Sequence, residues 1–445
     1  MQWDRGHLAA FAPLLALHVA LLLTYDLAGH LIVTLVVVAL ASLFLWLAVT
    51  RLQRVSLATA TVLGGALILR LVLLPVPPTL SDDILRYVWD GKVAGAGYNP
   101  YRLSPASPDV EGLRDDAWER LPHKDVPTVY PPLALALFVF AAQGPFSLLS
   151  LKVLLAVADL TTCGLLLGLA DRHGLHRSRV LLYAWNPLVV IEVAGMGHVD
   201  AIGVLASVAT VSILAAGRGG RPRAAAVAAC AASAAVLAKL IPLLAWPVWA
   251  RKSSSFAVFL GTATALVVVC GVPVIVATGG VPPGYIRFGV SWEFNGPLFE
   301  PLWRLLDVLH VSPLVERGLN AAKVMTGAHD FWNRFYPLNY PQLIAKALLA
   351  ACSVPFFLRA WKQESLCRAT GAVFAVLIFF SSTVYPWYLL WILPWAALER
   401  SRPWLLLSAL VPLSYVPQFA DIDLFPGLFC AIWVPFGSAL WLERR

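Results

Sequence analysis

AGHLIVTLVVVALASLFLWLAVT, residues 28–50, contains no Asp, Glu, Lys or Arg and is followed by Arg51 and Arg54. A helix needs about 20 consecutive apolar residues to cross a bilayer, so this stretch predicts a transmembrane span. Working outward, comparable or slightly shorter runs occupy 8–24, 57–74, 150–170, 180–195, 199–216, 224–250, 256–278, 342–361, 368–384, 387–398, 403–417 and 426–442. Of the 445 residues, 59% are hydrophobic and 13% charged, against roughly 45–50% and about 25% in soluble domains. That excludes a soluble, a disordered or a collagen-like chain. An all-α integral membrane protein, a multi-span helical bundle, is expected.

The net charge of +8 does not indicate nucleic-acid binding, because the basic residues sit in short clusters between apolar runs. The clusters are Arg51 with Arg54, 172–179, 218–223, Arg251 with Lys252, 359–368, Arg400 with Arg402, and Arg444 with Arg445. Placing all of them in the cytoplasm gives about 14 crossings (11–14 allowed) with both termini inside. This requires 224–250 to fold back near Lys239 and Pro242 as two half-length spans, and 131–148 not to cross. The loops 75–149 and 279–341 then lie outside, with the turns 195–198, 381–388 and 418–425. Polar chemistry gathered on one face suggests an enzyme, whereas a transporter places ionisable groups near the midplane of its spans. No cleavable signal peptide is expected. The six cysteines show no metal or redox spacing and read as buried small hydrophobes.

The first outer loop opens with SDDILRYVWDGKVAGAGYNPY, residues 81–101. Ser81 is positioned to cap a short helix with Asp82 and Asp83 in its first turn. Four-residue spacing puts Asp83 and Tyr87 on one face, and pairs Asp82 with Arg86. Two adjacent carboxylates there suit proton abstraction or a divalent ion, or are simply first-turn acids of an interfacial helix. Later in the loop, Tyr130-Pro131-Pro132 is a stiff lead into an apolar helix.

The acid after an early span, the Arg86-Tyr87 pair and the Pro-Pro-Leu start at 131–133 resemble the GT-C superfamily of polyprenyl-phosphate-sugar-dependent glycosyltransferases. The aminoarabinose transferases of that superfamily carry a similar Asp-Glu-x-Arg-Tyr run. Its Asp falls on Asp83, its Glu position is Ile84, and the second acid here precedes, at Asp82. Three further stretches resemble the bacterial mannosyltransferase-like glycosyltransferase family 87: WNPLVVIEVAGMGHVDAIGVLASVA (185–209), LAKLIPLLAWPVWARK (237–252) and VYPWYLLWILP (384–394). The resemblance implies a catalytic core over 57–398, between an N-terminal hairpin, 1–56, and a C-terminal hairpin, 399–445.

It also implies transfer of a sugar, mannose, from a polyprenyl-phosphate donor to a lipid-linked or glycan hydroxyl. The reaction would run with inversion at the outer face of the cell membrane. Asp83, aided or replaced by Asp82, would be the base. Lys239, a lone charge in an apolar run, would meet the carrier phosphate with His198 and Arg287. Arg86, Tyr87, Tyr130, Asp200, Asn295, Trp387 and Tyr388 complete the expected donor and sugar site. Trp292, Glu293 and Glu300 add to a polar-aromatic set that fits a carbohydrate cleft or an interfacial belt. No metal site and no cofactor are expected, and no Walker-type motif is present. The rival reading is a transporter or flippase of a lipid-linked sugar, which would show internal repeats.

Overall fold

Several apolar runs do not form one helix each, because a residue redirects the backbone hydrogen bonds part-way. In the run 180–195, helix Ser178–Ala184 stops at Trp185. Pro187 cannot donate, and Asn186 fills in. Its Oδ1 accepts from Leu188 N at 3.0 Å, and its Nδ2 donates to Leu182 O and Ser408 Oγ, each at 3.2 Å. The chain continues through Pro187–Val190 and the π-turn Ile191–Gly195, all buried. Such broken backbone is tolerated at membrane depth where protein surrounds it.

The computed structural model of the chain describes residues 5–144, 147–217, 222–335, 338–420 and 422–443. Arg218, Arg221, Arg444 and Arg445, all expected on the cytoplasmic side, lie outside the described residues. The described residues are helical, with two isolated bridges and no strand. Six helices are long and apolar enough to cross a bilayer: Gly6–Thr24, Leu31–Leu52, Ser147–Arg172, Phe256–Thr278, Tyr340–Lys362 and Leu424–Glu443. Thr59–Leu73, Pro132–Ala142, Asp200–Ala216, Pro222–Ala238 and Leu366–Phe380 are shorter apolar helices. At 1.5 Å per residue the 11 residues of Pro132–Ala142 reach only about 16 Å, half a bilayer core.

Helix Pro222–Ala238 is Ala-rich, so its neighbours Asp200–Ala216 and Phe256–Thr278 approach closely. It ends at Lys239, and the chain folds back through Ile241–Ala245 into Trp246–Lys252. Trp246 Nε1 donates to Ala232 O at 3.3 Å, returning beside the helix it left.

The remaining basic clusters meet at one end of the bundle. Arg177 donates to Leu57 O at 3.1 Å, Arg179 to Leu398 O at 2.7 Å, and Arg400 to Gln53 Oε1 at 2.6 Å. Lys252 reaches Glu364 O at 2.7 Å. The two long loops and the 381–388 turn occupy the other end, where Phe294 N donates to Ser382 O at 3.0 Å. The first loop has its own apolar core of Leu85, Trp89, Val93, Val110 and Leu121. In the bundle interior Arg70 is fully buried against Asp159 (Nε–Oδ2 2.7 Å), which also accepts from Tyr183 Oη at 2.6 Å. With every partner answered, this ionic group ties three helices together.

Helix Asp83–Gly95 is clamped onto Pro132–Ala142 at Gly91, where an added Cβ would lie 2.3 Å from Phe138 O. Backbone cannot give way as a side chain can. Gly91→Ala is expected to destabilise the protein by about 1–3 kcal/mol, read as an earlier thermal unfolding in detergent.

Candidate active site

The loop end of the bundle encloses a cavity of about 520 Å³. One wall is the start of helix Asp83–Gly95, with Asp82, Asp83 and Arg86, joined by His123 and Tyr130. The facing wall carries Lys239, Trp292, Ser381–Thr383, Tyr385, Trp387 and Tyr388. Helical residues begin at Asp83, one later than expected, and Ser81 Oγ accepts the Asp83 N–H at 3.3 Å.

That single-residue offset changes the partners. The expected Asp82–Arg86 pair does not form, because Asp82 precedes the helix and leaves its i,i+4 ladder. Arg86 instead bonds Asp90 (Nε–Oδ1 2.7 Å), His123 O (3.1 Å) and Val126 O (2.6 Å), staking the loop to the helix. Asp82 pairs with Arg120 at 2.6 Å on the exposed rim. Among the described residues no hydrogen bond or ion pair engages the Asp83 carboxylate, which faces the cavity.

Lys239 stands on the cavity wall but is not a free cation. Its Nζ lies 2.7 and 2.8 Å from the two oxygens of fully buried Asp200, which also accepts from Trp391 Nε1 at 2.6 Å. It sits 4.8 Å from the Tyr388 ring centroid. Asp200 therefore pairs with Lys239 from behind the wall and does not itself line the cavity.

His198 likewise lies behind the cavity lining. Its imidazole is buried, 3.0 Å from Glu192 Oε2, with Nε2 3.3 Å from Ser81 Oγ. It closes a column of stacked rings: Phe294 on Tyr385 (4.7 Å), Tyr385 on Trp387 (4.5 Å) and Trp387 on His198 (4.0 Å). Tyr87 is hidden against Phe138, its ring stacked at 4.7 Å, with Tyr130 edge-on at 4.9 Å. Asn295 is fully buried and does not line the cavity. Its Oδ1 accepts from Trp433 Nε1 at 2.8 Å while its backbone turns through φ 54°. Arg287 is exposed outside the cavity, 3.8 Å from Asp125. Glu293 pairs with Lys346 at 2.8 Å.

The cavity thus unites Asp82, Asp83, Arg86, Tyr130, Lys239, Trp387 and Tyr388 of the expected set. It adds His123, Tyr285, Phe288 and the Ser381–Thr383 hydroxyls. His123 and Trp292 touch ring to ring (4.4 Å), and Phe288 lies 5.4 Å from Trp292. No spacing pattern announces these residues, because they come from segments far apart in sequence, Tyr285 and Phe288 on the short helix Pro283–Ser291 and the others from irregular loops. Among the described residues no three His, Cys, Asp or Glu side chains gather as a metal site requires.

A family model described as alpha-(1->6)-mannopyranosyltransferase, N-terminal domain, matches residues 2–253 of the 445. The chain belongs to this family. It is a membrane glycosyltransferase of the mannosyltransferase kind. The match takes in the first two helices together with Asp83, Asp200 and Lys239. No curated protein and no solved structure matches the chain.

In this mannosyltransferase, burial holds the Asp83 carboxyl above the ordinary carboxylate range, against the lowering pull of His198 and Lys239. If Asp83 is the general base it must be ionised to act, and turnover is then expected to fall as pH drops through that raised value. The acidic limb of a pH–rate profile should therefore lie above the pH of about 4 at which a free carboxylate titrates. The stability effect has the opposite sign. A folded-state value above the unfolded one gives stability that is present at low pH and lost as pH rises through the folded value. Permanently neutral Asp83→Asn should then unfold no earlier than wild type at pH 7.

Proposed function

We propose that the enzyme transfers mannose from a polyprenyl-phosphate carrier to the primary, 6-position hydroxyl of a lipid-linked or glycan acceptor. The reaction runs at the outer face of the cell membrane and inverts the anomeric carbon. The observation that carries this reading is the junction of two unlike cavities beside Asp83. The cavity at Asp83 shares Ile241, Gly289, Ser381, Ser382 and Tyr388 with a second one of about 610 Å³. The second is mainly apolar, lined by Phe357, Phe374, Leu377 and Phe380 between helices Tyr340–Lys362 and Leu366–Phe380. A chamber that carries Asp83 and Lys239 among aromatic rings and opens into a more apolar slot suits a sugar head on an isoprenoid tail. A nucleotide sugar would have no use for the slot.

In this reading the tail lies in the slot, the phosphate at the shared seam, and the mannose in the chamber against the aromatic wall. Asp83 takes the proton of the acceptor hydroxyl as its oxygen attacks the anomeric carbon. The bond to the phosphate oxygen breaks, and polyprenyl phosphate leaves. A phosphate leaves readily, so the chamber needs to position the reactants and remove one proton. The basic clusters at the opposite end of the bundle support a cytoplasmic placement for that end, and so an outward-facing cavity.

The family's α-linked product and inversion together require a β-configured donor. Transfer from β-linked polyprenyl phosphomannose should therefore yield an α-mannoside, read from the one-bond carbon–proton coupling of the anomeric centre. A β-mannoside would contradict the single-displacement mechanism. Cysteine labelling in whole cells should reach position 105 from outside and position 176 only after permeabilisation. The reverse pattern would overturn the orientation.

A further inference from the structure

At the end of the bundle remote from Asp83, a crevice of about 540 Å³ opens between helices Leu31–Leu52, Ser178–Ala184 and Arg402–Leu410. Its walls are largely apolar, from Leu43, Trp46, Leu182, Leu405 and Leu406. Leu43 and Leu406 remain exposed, so the crevice opens on the lipid-facing flank of the bundle.

Its rim is strongly basic. The guanidinium carbons of Arg400 and Arg402 lie 5.4 and 5.9 Å from the Trp46 ring centroid, and Arg402 also lines the crevice. Among the described residues neither guanidinium pairs with an acid, although Glu443 lies at the same rim. Glu443 accepts from the Ser401 hydroxyl and the Arg402 backbone N–H, each at 2.8 Å, and Glu399 pairs with Arg368 at 2.8 Å. Arg400 reaches Gln53, but its buried Nε has no partner among the described residues. Burial, then the charges of Arg402 and Arg179, hold the Arg400 guanidinium below its ordinary range. The fold therefore keeps like charges close together and leaves a buried donor unanswered beside an apolar slot.

We propose that this crevice binds an anionic phospholipid, with its phosphate between Arg400 and Arg402 and one acyl chain along Trp46 and Leu405. Guanidinium groups bind phosphate oxygens through paired N–H donors, and basic pockets between spans favour anionic head groups. A free phosphate would leave the slot empty, and a zwitterionic lipid would bring its own cation against the arginines. Such a lipid would brace the broken segment after Ser178–Ala184 against helix Arg402–Leu410, which otherwise meet through the Asn186–Ser408 hydrogen bond. The site stands apart from the transfer reaction: helix Leu31–Leu52, with 22 residues, is about 33 Å long.

The test is native mass spectrometry of the full-length protein in detergent, titrated with phosphatidylglycerol and phosphatidylcholine of identical chains. About 1 kcal/mol per basic residue near the head group corresponds to roughly tenfold or more tighter retention of phosphatidylglycerol. The paired change Arg400→Gln with Arg402→Gln should bring the two lipids to parity. Ser42→Trp, which fills the crevice and leaves the arginines, should lower retention of both. Equal retention of the two lipids by wild type would overturn the proposal. So would glycerol phosphate, lacking chains, displacing phosphatidylglycerol at equal concentration. The last two measurements use wild type alone, so they decide the matter even if the double variant fails to fold.

Discussion

Asp83→Asn is expected to lower mannosyl transfer by about 10²–10⁴-fold, the contribution of a positioned general base, while the protein folds and binds donor. Asn keeps the shape and removes only the basic oxygen, so the loss should appear in kcat with donor KM little changed. Asp82→Asn serves as the comparison. Asp82 lies on the rim in an exposed pair with Arg120, and such pairs contribute about 0–1 kcal/mol. Its loss should change turnover by no more than about fivefold. Steady-state kinetics on the two variants separates the carboxylates. A dead Asp82→Asn beside an active Asp83→Asn would swap their roles. Full activity in both would remove the first-loop helix from the chemistry.

The second large effect is expected at Lys239, and it is structural before it is catalytic. Lys239→Met leaves Asp200 fully buried, with the Trp391 indole N–H as its one remaining side-chain donor among the described residues. Breaking a buried ion pair from one side costs about 3–5 kcal/mol, because the remaining charge is uncompensated. Asp200→Asn in the Lys239→Met background should restore most of that stability, since the neutral amide still accepts from Trp391. Thermal unfolding of the single and double variants in detergent measures this. If Lys239→Met is as stable as wild type, the pair does not hold the wall together. If the double variant regains stability but not turnover, Lys239 also acts on the substrate from that wall.

Lys239 also shows what was legible in the sequence. A single ammonium in an apolar run marks a site, and it does line the cavity beside Asp83. Its partner, 39 residues earlier in the chain, carries no periodic signal, so the residue reads as a free cation. The long spans were legible because runs such as 31–52 have no other stable state in lipid. The short ones were not, since 180–195 and 387–398 are largely apolar yet broken, the first at Pro187 and the second where the turn Pro386–Trp391 gives way to helix Leu393–Glu399. The fold-back at Lys239 followed from charge parity and a helix breaker, and it is present. The failed Asp82–Arg86 pairing came from a helix start misplaced by one residue, which leaves Asp82 outside the helix, while the i,i+4 spacing within it pairs Arg86 with Asp90. Asn295 was expected at the sugar because amides bind hydroxyls. It is instead consumed in joining the second loop to the 381–384 segment, a contact between residues about 90 positions apart.

The most direct test of the central claim is donor choice. Purified enzyme is incubated with polyprenyl phosphomannose or with nucleotide-linked mannose, each carrying labelled mannose, and an extracted membrane-lipid acceptor. Label should pass to the acceptor from the polyprenyl carrier alone, and Asp83→Asn should slow that transfer by about 10²–10⁴-fold. Transfer from the nucleotide donor, with none from the lipid-linked one, would contradict the account.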